Sequence, residues 1–481
     1  MSESSLNNKS NFSAERSLSL SNIGALMHII KGNIGVGLLT LPWAMKHAGI
    51  ILGPLFFIGI GILTGHCMHV LVRCSRYFTG KLRLHSADYG EVALYSVKYG
   101  PIKWIRPHAP HAEIIVNFFL ITSQLGACCT CVVFIGQNIR QIIVPHWQDA
   151  PDDRVFMAMF IIPILLLSSI RNLSLLSWFS TAANIVFLIS IGIILSYTMQ
   201  NLPQLSSLPA TGIVTEFPVF LGSAIYIFEG IGIILPIENS MKTPEKFPLV
   251  LNIAWPFLIT VYFLFGGSGY LKFGSSICGA ITLNLPIWDP LYQLVRMLYC
   301  FVVYVTFSLC FYVPVEIILK LIQNKVHTMH NFYNFLVRTL LGLAICVLAI
   351  GIPNIGDYIS LIGASMSTFL AFTFPVTIES LTFHSKALEP KLDDEEVRPL
   401  IGEDRLPLNS EKDLTKWRVV KNTFILIFGL LGAFFGTMAA LRSLIVNLEH
   451  RDVTDKCNGG LYSLNFSENA ATYINRTSIP L

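Results

Sequence analysis

The sequence predicts an all-α polytopic membrane protein of about eleven transmembrane helices, and three observations carry that prediction. First, charged residues make up 13% of the chain, about half of what soluble domains carry. Second, apolar runs near the ~20 residues needed to cross a bilayer recur from residue 23 to residue 446, parted by polar segments. Third, the first and sixth of these runs carry glycines and ionisable groups at their centres. An offset of five between two interrupted spans is what an inverted repeat of five plus five helices produces, with an eleventh helix added outside it.

Residues 1–21 are polar and Ser/Asn-rich, without the basic and apolar regions of a signal peptide, and read as a disordered cytoplasmic tail. The first run starts at Ile23 and holds His28, Lys31, Gly32, Asn33, Gly35 and Gly37. Glycine costs helix stability, so this clustering predicts unwound backbone rather than a continuous helix. Unwound backbone at membrane depth persists only where protein encloses it or a watery cavity borders it. Close packing of a second helix on the small residues is the alternative. It accounts for the glycines but not for His28, Lys31 and Asn33.

The second run is 50–72. Residues 73–110 are polar and rich in Lys and Arg, which places them and the amino terminus in the cytoplasm by the positive-inside rule. The third and fourth runs, 113–137 and 155–170, flank an acidic turn at 146–153 without Lys or Arg, as an outer turn should be. The fifth, 178–199, leads into a loop without Lys or Arg, also outer. The sixth, 218–237, is interrupted at Ile227-Phe228-Glu229-Gly230-Ile231-Gly232. The seventh to tenth runs are 249–267, 291–318, 335–352 and 359–378, closing a core of residues 22–380. A charged cytoplasmic loop, 381–418, precedes the eleventh run at 419–446. The remaining tail, 447–481, then lies outside, where its sequons at Asn465 and Asn475 are accessible to glycosylation.

Several function classes drop out. The net charge of +4 is spread over inner loops and marks no nucleic-acid surface. No metal cluster, nucleophile elbow or phosphate loop is visible, so neither an enzyme nor a metal or organic cofactor is expected. Cys128, Cys129 and Cys131 read as small apolar packing in a helix.

The stretch His28-Ile-Ile-Lys-Gly-Asn-Ile-Gly-Val-Gly-Leu-Leu-Thr-Leu-Pro42 resembles the proton-coupled amino acid transporters of the amino acid/auxin permease superfamily. So do Ile227-Phe-Glu-Gly-Ile-Gly-Ile-Ile-Leu-Pro-Ile-Glu-Asn239, Ile281-Thr-Leu-Asn-Leu-Pro286 and Phe311-Tyr-Val-Pro-Val-Glu-Ile317. The resemblance runs from about Gly24 to the eleventh span. It implies the fold of the bacterial leucine transporter, with symport of protons and small neutral amino acids of the glycine, alanine and proline type. It further implies that His28 is essential to proton coupling. The proton is then the coupling ion and no other cofactor is needed. Vertebrate members pair cysteines in the loops after the third and seventh spans. Here 146–153 contains no Cys and Pro286 is followed by Ile287-Trp288, so that bond is absent; Cys278 and Cys457 are a candidate substitute.

An amino acid zwitterion needs partners for both charges in a low-dielectric space. The N–H groups of Gly35, Val36 and Gly37, at the start of the outer half of the first span, are suited to the carboxylate. Carbonyls around Tyr226 to Phe228 are suited to the ammonium. Glycine at Gly32, Gly35, Gly37, Gly230 and Gly232 brings backbone close to the ligand and favours small side chains. With Asn33, these form the expected substrate cradle; Tyr226, Phe228, Thr306 and Tyr312 are candidates for its wall or for bundle core. His28 lies one turn before Gly32 and titrates in the range a proton carrier needs. Glu229, at the second break, is a second proton carrier or a structural acceptor, and Lys31 either pairs with it or reaches inward.

Glu396, Leu400 and Ile401 fit an acidic dileucine signal in the cytoplasmic loop, which would engage sorting adaptors and direct the chain to endosomes or lysosomes. Without it the plasma membrane is the destination. An amino acid sensor signalling through that loop, and a sodium-coupled transporter, are the competing functional readings.

Overall fold

The computed structural model describes residues 20–147, 150–168, 173–204, 208–323, 330–352, 354–383 and 416–449. The first span is two helices, α1 (Asn22–Asn33) and α2 (Val36–Ala48), bent by 50° at their junction. α3 (Leu52–Leu82) is the second span and α5 (Ala109–Ile143) the third. Between them lies α4 (Tyr89–Lys98). The expected fourth span appears as α6 (Asp153–Met159) and α7 (Ile161–Ser168), parted at Phe160, and the fifth is α8 (Leu173–Met199).

The sixth span is again two helices, α9 (Phe217–Ile227) and α10 (Ile231–Asn239). α11 (Phe247–Phe273), α12 (Pro290–Gln323) and α13 (His330–Gly351) follow. The tenth span opens as α14 (Ile355–Ile362), passes through π-helical turns at Gly363–Ser367 and Phe369–Thr373, and closes as α15 (Phe374–Thr382). α16 (Lys416–Glu449) is the span outside the repeat. Large apolar side chains stay exposed along it, Phe424 at 67% and Phe434 at 62%, which fits a lipid-facing helix.

The stretch 73–110, read as polar loop, differs from expectation. α3 continues through its first basic residues to Leu82, and α4 forms behind a reciprocal cap. The Asp88 carboxylate accepts from Glu91 N at 2.8 Å, and the Glu91 carboxylate accepts from Asp88 N at 3.0 Å. Two helix-end donors are thereby satisfied at once, which stabilises a helix whose charges alone suggest a loop.

The bundle closes around α2, which is buried along nearly its whole length, whereas α1 buries Ala25, Ile29 and Asn33 at a four-residue spacing. α2 packs against α9, α11, α3 and α14; α1 packs against α10 and α11. Small residues set these approaches. A side chain at Gly269 would strike Pro42, one at Gly266 would strike Leu41, and one at Gly356 would strike the Trp43 ring. Between apolar helices in lipid, such close approach supplies attraction that a hydrophobic effect cannot.

Polar ties fasten both ends. Where α1 begins, Leu20 N donates to Ser240 O at 3.2 Å, and Lys242 N donates to Leu20 O at 3.0 Å. Nearby, Arg76 Nε donates to Glu238 Oε1 at 2.6 Å. The fully buried Glu379 carboxylate joins three spans by accepting from Arg73 and, at 3.2 Å, from Lys421 on α16.

At the opposite end Arg296 is fully buried and donates to the carbonyls of Thr282 (3.1 Å), Pro286 (3.3 Å) and Leu285. This fork pins the Ile281–Asn284 turn onto α12. Replacing it by Arg296→Met removes the guanidinium donor from all three carbonyls, leaving Thr282 O only its long turn bond from Leu285 N at 3.4 Å. We expect a loss of about 3 kcal/mol, seen as a lower melting midpoint of the purified protein in detergent. An unchanged midpoint would show that the fork does not hold the turn.

Candidate functional site

α1 ends where Ile34 N donates to Ile30 O at 3.0 Å, and α2 restarts one residue on with Gly35 as its cap. The first-turn N–H groups of α2 and the positive end of its dipole therefore face the gap. No heavy atom lies within 4 Å of where a Gly35 side chain would stand, so Gly35 borders open space. Gly37 is different: a side chain there would meet Ile227 at 3.1 Å, because α2 lies directly against α9.

The second break is built from Phe228, Glu229 and Gly230. α9 winds down through a tight turn in which Glu229 N donates to Tyr226 O at 3.0 Å and Gly230 N donates to Phe228 O at 2.9 Å. The two breaks meet. A side chain on Gly230 would lie 2.0 Å from Asn33 Oδ1, and one on Gly32 would lie 2.1 Å from the Ile233 side chain.

Asn33 is the hinge of this junction. Its amide nitrogen donates to Ile29 O at 2.8 Å, and its backbone carbonyl accepts from the Tyr262 hydroxyl at 2.5 Å. The first bond fixes which side of the carboxamide is oxygen. Asn33 Oδ1 is buried and has no hydrogen-bond partner among the described residues. A buried acceptor left open costs stability, so its position at the meeting of two unwound segments points to a donor that arrives from outside the chain.

The other expected site residues separate into two groups. Glu229 belongs to the junction: its two carboxylate oxygens accept from the hydroxyls of Ser123 on α5 and Ser367 on the tenth span. Tyr226 is half-buried and shares a hydrogen bond of 3.1 Å with Thr130. Val36 is buried at the start of α2, and a side chain on Gly232 would meet Leu120 at 3.1 Å. Phe228 is fully buried among Phe57, Tyr262 and Trp255, at ring distances of 4.5, 5.6 and 5.7 Å. Thr306 and Tyr312 are half-buried on α12, and the Thr306 hydroxyl turns back to Val302 O at 3.0 Å. His28 stands on an exposed face of α1. Lys31 Nζ is buried without a hydrogen-bond partner among the described residues, while Glu229 is held by the two serines.

Ser123, Ser367 and Tyr262 complete the site and were not legible beforehand. Each is an ordinary residue in an apolar run, and only the three-dimensional meeting of five spans singles them out. The contact of His47 with Glu216, 3.0 Å between Nδ1 and Oε2, was equally hidden. That hydrogen bond from His47 is the main influence holding the Glu216 carboxyl below its ordinary range, against the opposing effect of partial burial.

Cys278 is disulfide-bonded. Its expected partner Cys457, the sequons at Asn465 and Asn475, and the sorting residues Glu396, Leu400 and Ile401 lie outside the described residues.

Comparison with known proteins places this geometry among transporters. Residues 19–391 match the family model described as transmembrane amino acid transporter protein. The "proton-coupled amino acid transporter-like protein pathetic" of Drosophila melanogaster is 31% identical over 423 residues, 87% of this chain and 84% of its own. The "amino acid transporter AVT3C" of Arabidopsis thaliana is 29% identical over 366 residues, 73% of this chain and 80% of its own. Among solved structures, the nucleobase-cation-symport-1 family transporter Mhp1, in a closed conformation with bromovinylhydantoin bound, aligns with a TM-score of 0.50. It is 12% identical, with 91% of this chain and 93% of Mhp1 covered. That likeness is one of fold: a bundle of the bacterial leucine transporter type.

Proposed function

We propose that this chain, which belongs to the transmembrane amino acid transporter family, is a symporter of protons and small neutral amino acids that works by alternating access. The observation that carries the reading is the junction of the two breaks. It presents the first-turn N–H groups of α2, an open space beside Gly35, and the buried, unpartnered Asn33 Oδ1. In this arrangement a substrate carboxylate sits on the N–H groups of Gly35, Val36 and Gly37. The ammonium donates to Asn33 Oδ1 and to carbonyls around Tyr226 to Phe228. Gly32, Gly230 and Gly232 let the second break close over a small side chain, and Tyr226, Thr306 and Tyr312 border the path.

His28 and Glu229 are the candidate proton groups. An ionisable group inside a membrane span is costly and therefore marks a functional position, and the relative from Drosophila is described as proton-coupled. The amino terminus is cytoplasmic and the carboxy-terminal tail outer, with Cys278 bonded to Cys457 and glycans on Asn465 and Asn475. Residence at the plasma membrane or at endosomes and lysosomes is decided by whether Glu396, Leu400 and Ile401 are read by sorting adaptors.

Reconstituted liposomes with an acid exterior, and choline in place of sodium, test the function. We expect labelled glycine, alanine or proline to accumulate and to stop accumulating when a protonophore collapses the gradient. Uptake that requires sodium, or binding without accumulation, would contradict it.

A further inference from the structure

The Glu229 carboxylate carries a second message beyond its place at the break. It accepts from Ser123 on α5 and from Ser367 on the tenth span, so one carboxyl group ties the start of α10 to two other spans. Ser367 closes a π-helical turn, Gly363–Ser367, and its hydroxyl also lies 3.4 Å from Ile362 O. π turns are wider than α turns, bind their backbone less well, and recur at functional sites. This one is wedged between neighbours. A side chain on Gly363 would strike the Gly222 carbonyl of α9, and one on Gly436 of α16 would come within 2.8 Å of Ala364.

We infer that Ser123 and Ser367 are positioning residues for proton coupling, holding Glu229 as a carboxylate and releasing the tenth span when it is protonated. The inference rests on the symporter reading above. With Glu229 ionised, both hydroxyls donate to it in charge-assisted bonds, roughly twice as strong as neutral ones. A proton arriving from the acidic side forms an O–H bond on one carboxylate oxygen. That oxygen becomes a donor, so the serine hydroxyl facing it must turn or let go, and the remaining bond loses its charge. Return of the proton to the less acidic side restores both bonds. The other groups near the carboxylate are the Tyr226 hydroxyl on α9 and the Cys310 thiol on α12; tyrosine and cysteine are uncharged near neutral pH in their ordinary ranges, so neither replaces the charge.

The test is the pH profile of uptake in proteoliposomes. Removing a hydroxyl that donates to the ionised carboxylate favours its protonated form. Ser367→Ala and Ser123→Ala should therefore each move the pH of half-maximal uptake up by about one unit. Ser367→Thr, which keeps a hydroxyl, should return the profile toward that of the native chain. Glu229→Gln should lose acid stimulation of net uptake while retaining measurable counterflow of labelled for unlabelled amino acid. Profiles that stay in place in both alanine variants, or acid stimulation that survives Glu229→Gln, would overturn the inference alone. Uptake by the native chain that ignores pH would overturn the symporter reading as well.

Discussion

Gly363→Ala is expected to prevent stable folding. The new methyl carbon would stand 1.9 Å from the Gly222 carbonyl oxygen and 2.7 Å from its carbon, both backbone atoms of a packed helix. Backbone cannot rotate away as a side chain can, so α9 and the tenth span must separate, at a cost of ~3 kcal/mol or more. The loss reaches further than two residues. The same segments carry Glu229 and Ser367, and α16 lies against the other side of the π turn. We expect the yield of monodisperse protein in detergent, and its melting midpoint, to fall sharply. Gly59→Ala is the matched control, because nothing lies within 4 Å of its added carbon. In a helix interior that change is neutral or favourable. Equal stability of the two variants would refute the close approach of these helices.

The second large effect falls on transport rather than on folding. Gly230→Ala puts a methyl group 2.0 Å from Asn33 Oδ1. The carboxamide is held by its bond to Ile29 O, and the carbonyl of the same residue by the Tyr262 hydroxyl, so neither yields without breaking a buried hydrogen bond. Relief comes from parting the two breaks, which misplaces the groups that would hold substrate charge. Overpacking of this kind costs about 1–3 kcal/mol, enough to lower initial uptake roughly tenfold. Most of the protein should still reach the membrane, because the clash is with one short side chain and not with a helix backbone. Uptake at the native rate, at equal expression, would separate Asn33 and Gly230 from the working site.

The two breaks were legible because glycine and ionisable residues are conspicuous against an apolar background. Gly32 to Gly37 and Glu229-Gly230 stand out in the chain, and the helices do part at Asn33–Val36 and at Ile227–Ile231. The long apolar spans among the described residues were legible for the same reason, since bilayer thickness fixes run length, whereas the run 155–170 is split at Phe160 into the short helices α6 and α7. What stayed hidden is what depends on partners. Ser123 and Ser367 look like any serine in an apolar run until the fold brings them to one carboxylate from opposite sides. Arg296 carries no local signal for its role, yet it is fully buried on three carbonyls. α4 has a sequence signal, the Asp88-x-x-Glu91 spacing of a capping box, which reading 73–110 by its charges alone passes over. In the sequence each break has one ionisable group beside it, His28 as the expected coupling residue and Glu229 as a second carrier or a structural acceptor. The fold makes them unequal, with Glu229 tied into the junction and His28 on an exposed face of α1.

Gly35 offers the most direct test that the junction of the breaks is where amino acid binds. Its surroundings are empty to 4 Å and its φ of −141° suits any residue, so Gly35→Cys should fold and place a thiol in the open space. The measurement is the rate at which a small water-soluble thiol reagent labels that variant, over the background from the native cysteines, with and without a transported amino acid. The expected result is labelling that the amino acid slows in proportion to its occupancy, with no protection by an amino acid that is not transported. Labelling at the same rate in saturating substrate would place the binding site elsewhere in the bundle.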